Sequence, residues 1–190
     1  MGLNALLQEL REDSTYLILD LGKAIAANVE FWSRFSCRLY VEGFSSTLRA
    51  QSTDPAGSEA WAPAFLEDQL PFPIETRFDV VLCWDILSYL SYEQASALLA
   101  YIARFCKPGT LLFALFWVAA RIPENPVTFK IVDHEHLEYA DMSPATRPGP
   151  AFQARDIGKL MEDFRTSNSF LLRHGVQEYL LTYCGRGPMA

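Results

Sequence analysis

The chain is poor in the residues that build metal and redox centres, and the few it has are scattered. Among 190 residues there are four cysteines and three histidines. Cys37, Cys83, Cys106 and Cys184 lie far apart, three of them in apolar surroundings, and none forms the close pair that zinc sites and redox motifs use. They read as small core residues in a reducing compartment. His134 and His136 stand at i, i+2 beside Asp133 and Glu135, but the spacing specifies no third ligand, so no metal is expected. There is no Ser-His-Asp pattern, no nucleotide-phosphate loop and no CxxC, which leaves hydrolase, kinase and redox readings without positive support.

Basic residues are also in the minority, with 16 Lys and Arg against 23 Asp and Glu and a formal net charge of -7. No basic run offsets that balance, so neither nucleic acid nor an anionic membrane is an expected partner. Long apolar runs are missing too. The longest, Thr110 to Ala120, is about half the roughly 20 residues needed to cross a bilayer and reads as a buried strand. The opening MGLNALLQELREDS carries acids and lacks the charged-then-apolar layout of an export signal, so a cytoplasmic location is expected.

What is present is a core. Half the residues are apolar and 13% are aromatic, enough to fill the interior of one domain spanning 1–190. Leu3, Leu6, Leu7 and Leu10 are spaced as one face of a short helix, expected at the sheet edge. Tyr16 to Asp20 reads as a strand buried on both faces, Ala24 to Phe35 as a helix, and Cys37 to Glu42 as a second strand closed by Gly43. Ser45 to Gly57 reads as a short helical turn followed by an irregular loop. Glu59 to Leu70 reads as a helix interrupted by Pro63. Phe78 to Trp84 is a buried strand, Ser91 caps an amphipathic helix through Ala103, and Pro108-Gly109 precedes the strand Thr110 to Val118. A Pro-rich arm at about 119–150, too short for its own core, holds a small hairpin reaching Tyr139. Ala154 to Phe164 forms the last helix, and strands around a turn at His174-Gly175 form an antiparallel hairpin. The pattern predicts an α/β fold, a doubly wound, mostly parallel sheet ending in that hairpin.

Four stretches give the chain a family resemblance. Ile18-Leu-Asp-Leu-Gly22, Val41-Glu-Gly43, Glu67-Asp-Gln-Leu-Pro-Phe72 and the block from Phe78 through Trp84-Asp85 to Lys107-Pro-Gly109 follow in the order found in class I S-adenosylmethionine-dependent methyltransferases. The chain resembles that family from Tyr16 to Tyr183. The resemblance implies a Rossmann-like, seven-stranded methyltransferase fold with S-adenosylmethionine as cofactor. Asp20 and Gly22 would then lie at its methionine part, Glu42 at the ribose hydroxyls, Asp68 at the adenine and Trp84 on the pocket wall. Asp85 is the residue to expect as a catalytic acid or base.

The first motif departs from the family's acid-x-Gly-x-Gly-x-Gly, because Lys23, Ala24 and Ala26 follow Gly22. Each alanine methyl is expected to crowd the cofactor loop and to resist a positive φ. Two functions follow from these residues. One is methyl transfer to a small molecule. The other is a degenerate relative that keeps the fold to bind a protein partner.

Overall fold

The computed structural model describes residues 2–44, 46, 61–149, 154–172 and 175–185. Helix α1 (Gly2–Gln8) precedes strand β1 (Tyr16–Asp20), helix α2 (Ala26–Trp32) and strand β2 (Cys37–Val41). Helix α3 (Pro63–Gln69), strand β3 (Phe78–Trp84), a 3-10 turn (Ile86–Tyr89), helix α4 (Tyr92–Ala103) and strand β4 (Cys106–Trp117) follow. The arm contributes β5 (Arg121–Pro123), β6 (Thr128–Ile131), β7 (Leu137–Ala140) and β8 (Thr146–Pro148). Helix α5 (Ala154–Leu160), β9 (Phe164–Leu171) and β10 (Val176–Tyr183) complete the described chain.

Among the described residues the main sheet has six strands in the order β2-β1-β3-β4-β10-β9. The pairs from β2 to β4 are parallel, and β10 runs antiparallel to both β4 and β9. The expected terminal hairpin is therefore present, around Gly175 at φ +73°. The seventh strand of the family pattern is not among these elements, and the expected loop from Ser45 to Gly57 lies almost wholly outside the described residues.

Alternation along the strands sorts the core into two faces. Ile18, Val80, Leu82, Phe113 and Leu115 point to the side carrying α1 and α2, while Leu19, Val81, Cys83, Leu112 and Ala114 point to the side carrying α3 to α5. Strands covered on both faces need apolar residues at every position, which is why β1, β3 and β4 read as continuous runs. The arm has no core of its own. Its Ile122, Val127, Phe129 and Ile131 join the α1 and α2 side of the sheet.

Helix α1 packs over β10 and reaches both β4 and the edge strand β9: Leu3 and Leu6 join the cluster of Phe113 and Val176, and Gly2 N donates to the buried Glu178 Oε2 at 2.6 Å. Two expectations need correction. Pro63 does not interrupt a helix but begins α3, where its missing N–H costs nothing. The strand expected from Thr110 begins at Cys106, with a register shift between Phe78 and Val80 of its partner that accommodates Gly109 at φ +94°. Ser91 caps α4 as expected, accepting from Gln94 N at 3.1 Å while Gln94 Oε1 accepts from Ser91 N at 3.0 Å.

Candidate functional site

Strand β1 lies between β2 and β3, so the chain leaves its carboxyl end in one direction for β2 and returns on the other side for β3. Such a switch point opens a crevice beyond the strand ends, the usual ligand site of an open α/β sheet. Asp20 ends β1 there and is 2% exposed. Its Oδ1 accepts from Gly22 N at 2.8 Å and from the Trp84 indole Nε1 at 2.6 Å. Burial pushes the Asp20 carboxyl up from 3.8 to about 6, against the opposing pull of the Trp84 and Gly22 bonds.

Trp84 fills the mouth of this crevice. A Cβ added to Gly22 would lie 2.6 Å from Trp84 Cδ1 and 2.7 Å from Trp84 Nε1, so Gly22 is the residue that lets the indole sit against the loop. The ring stacks on Phe129 of the arm at 5.7 Å and 7°, and meets Phe113 edge-on at 5.8 Å. Trp84 has φ +50°, a conformation costly for a bulky side chain. These ring contacts and the Asp20 bond hold it there.

The two alanines behave differently from expectation. Ala24 and Ala26 are exposed, and neither has a positive φ. The loop does not need the glycine conformation at those positions, and the indole, rather than their methyls, occupies the space over Gly22. Lys23 is turned toward the arm, with Nζ 3.2 Å from Asp141 Oδ2 in an exposed pair.

Glu42 follows β2 beside Asp20, its backbone N donating to Asp20 O at 2.9 Å. It is half-buried, and burial raises its pKa. Asp68 is not at a strand end. It is exposed on α3, accepting from Gln69 Nε2 at 2.9 Å. The structure thus brings Asp20, Gly22, Glu42 and Trp84 together and leaves Asp68 on a helix surface.

Asp85 faces the arm and is completely buried. Its Oδ2 accepts from Trp117 Nε1 at 3.0 Å and from Val127 N at 3.1 Å, while Oδ1 is buried with no partner among the described residues. Burial raises this carboxyl from 3.8 to about 7, with the Trp117 and Val127 bonds opposing. The same arm segment is tied down twice more. Tyr89 donates to Asn125 O at 2.9 Å, and buried Asn28 clamps β6 by donating to Phe129 O at 2.9 Å and accepting from Ile131 N at 2.8 Å. Asn28, Trp117 and Phe129 were not legible as site residues; a polar Asn on the inner face of a helix was the one available signal.

Solved structures share this fold. A methyltransferase from Clostridium acetobutylicum superposes over 95% of this chain and 88% of its own at a TM-score of 0.53 and 13% identity. The chain has the class I methyltransferase fold. Magnesium protoporphyrin IX methyltransferase from Synechocystis, solved with bound S-adenosylhomocysteine, matches this fold over 95% of the chain and 79% of its own, at TM-score 0.52 and 12% identity. The 1,6-didemethyltoxoflavin-N1-methyltransferase of Burkholderia thailandensis, solved with its substrate and S-adenosylhomocysteine, matches over 96% and 75%, at TM-score 0.51 and 14% identity. No family model and no curated protein sequence matches the chain.

In a methyltransferase fold these positions can be compared directly with the demands of the cofactor. Glu42 offers a half-buried carboxylate at the end of β2, with acceptor capacity for two hydroxyls such as those of the ribose expected there. At the strand end where the cofactor's methionine part is expected, the Trp84 indole uses the Asp20 oxygen and the Gly22 surface itself. Among the described residues no three His, Cys, Asp or Glu side chains converge on a metal position, and the Asp133 carboxylate accepts from His136 within the β6–β7 turn. No helix among them is long and apolar enough to cross a membrane.

Proposed function

We propose that this protein is an S-adenosylmethionine-dependent methyltransferase acting on a small molecule. The observation that carries the reading is the pair of acids at adjacent strand ends, Asp20 and Glu42, joined through the Glu42 N to Asp20 O bond at the switch point of this fold. Two relatives in fold solved with bound S-adenosylhomocysteine support it by analogy, as does the small-molecule character of the substrates they are named for.

S-adenosylmethionine, when bound, supplies an electrophilic methyl carbon. The chain's own residues position and exclude water. Glu42 accepts the ribose hydroxyls, Asp20 holds the Gly22 loop, and Trp84 leaves the Gly22 surface to admit the methionine end. Asp85, buried against Trp117 and Val127, positions the arm. Catalysis of this kind rests on alignment of the reacting atoms and on a dry site.

The Trp84 contact also favours a second reading, in which the indole permanently replaces the cofactor and the fold serves as a binding module for a protein partner. Isothermal titration with S-adenosylmethionine and S-adenosylhomocysteine separates the two. Micromolar binding that Glu42→Ala abolishes is the result expected for the enzyme. No heat at millimolar ligand, from protein shown folded by circular dichroism, leaves the binding module.

A further inference from the structure

The arm encloses a cavity that the cofactor reading does not use. Its volume is about 540 Å³, within the range of small-ligand pockets. Trp117 and Tyr139, in edge contact at 6.5 Å between ring centroids and 64°, form one aromatic wall, Ile122 and Pro123 line it from β5, and Met142 lines it while remaining 53% exposed. Tyr139 also packs edge-on against Phe129 at 5.1 Å, and Phe129 stacks on Trp84, so a continuous set of rings separates this cavity from the Gly22 loop.

The lining carries one charged side chain, Arg121. Its guanidinium is fixed from one side: Nε donates to Thr146 Oγ1 at 2.8 Å and Nη2 to Thr146 O at 2.7 Å. Nη1 has no partner among the described residues. A planar cation pinned by its hairpin neighbour is already oriented for an oxyanion, and carboxylate bonds to guanidinium are among the strongest available to a small ligand. Among the described residues no acid lines the cavity to oppose one, although the chain as a whole carries a net charge of -7.

We propose that this cavity is a binding site for a planar aromatic carboxylate, the ring packed against the wall that Trp117 and Tyr139 form together and the carboxylate met by Arg121. The site goes beyond the methyl-transfer reading and does not depend on it.

The experiment is ligand-observed and protein-observed NMR without S-adenosylmethionine, so that failure here and failure of the cofactor reading remain separate. The probes are benzoate, benzamide, cyclohexanecarboxylate and benzylamine. Benzoate is expected to bind most tightly, benzylamine least, with shifts concentrated at Trp117, Tyr139 and Met142. Arg121→Gln should weaken benzoate about tenfold and leave benzamide nearly unchanged. Because Arg121 also braces its hairpin, Met142→Trp provides a variant that fills the cavity from an exposed position, and it should abolish benzoate binding without changing Tm. Benzylamine binding as tightly as benzoate, shifts located elsewhere, no binding by any probe, or benzoate binding untouched by Met142→Trp would each overturn the proposal.

Discussion

Trp84 and Asp20 are joined across two strands by a 2.6 Å hydrogen bond from indole Nε1 to carboxylate Oδ1, and that bond places the indole over Gly22. The strand end expected to receive a cofactor is occupied by the chain's own side chain. Whether ligand binding is possible depends on how readily this one ring can leave.

Trp84→Gly removes the ring and suits the positive φ that Trp84 adopts, so it opens the crevice with less backbone strain than alanine would carry. S-adenosylhomocysteine affinity should rise at least about tenfold over the unsubstituted protein, for each 1.4 kcal/mol that displacing the indole consumed. Calorimetry on protein shown folded by its thermal transition measures this. An unchanged affinity would mean that the indole is not the obstacle.

Gly22→Ala forces a methyl into contact with Trp84 at 2.6 Å and should destabilise the protein by about 1–3 kcal/mol. In a Trp84→Gly background the same change should cost measurably less, because the two Trp84 contacts are gone and only Asp20 Oδ1, at 2.9 Å, remains close. A double-mutant cycle by urea denaturation gives the coupling. Additive losses would contradict the packing described here.

Asp85 gives the stability a pH dependence of definite sign. Its folded pKa, raised to about 7, exceeds the ordinary 3.8, so the folded state holds the proton more tightly than the unfolded chain. Stability from this group is therefore fully present below about pH 4 and declines as pH rises to about 7, by at most roughly 4 kcal/mol. Asp20, raised to about 6, acts in the same direction over a narrower window. Asp85→Asn should flatten the decline between pH 4.5 and 7.5 in urea titrations, and an identical slope in both proteins would exclude Asp85 as its source.

Asn28 ties α2 to the arm through two buried bonds to the β6 backbone. Asn28→Ala leaves the Phe129 carbonyl and the Ile131 amide without that partner and should cost about 2–4 kcal/mol. Hydrogen exchange at Ile131 should accelerate more than exchange at β1 amides such as Leu19. Uniform acceleration would show that the clamp has no local effect.

Much of the sheet was legible because burial leaves a mark on composition. Tyr16 to Asp20 and Phe78 to Trp84 are apolar at every position but Asp20 and Asp79, a near-continuous run that a strand covered on both faces requires, and both appear with the expected bounds. Ser91 and Gln94 announce a helix start through local hydrogen bonds alone. Asp68 was less legible, since an acid before Leu70-Pro71 looks the same at a strand end or on an exposed helix, and α3 puts it on the helix. The alanines after Gly22 looked obstructive because spacing along the chain cannot tell which way a methyl points.

The sequence alone determined the order of strands and helices in the main sheet, the antiparallel end of that sheet and the net charge of -7, because periodicity, capping and charge are local or additive properties. Only the tertiary structure decided what occupies the crevice. The Trp84 bond to Asp20 spans 64 positions, its stack on Phe129 brings an arm residue over the strand ends, and Asp85 meets Val127 across 42. Such contacts depend on the relative placement of β1, β3 and the arm, which no short window of sequence encodes.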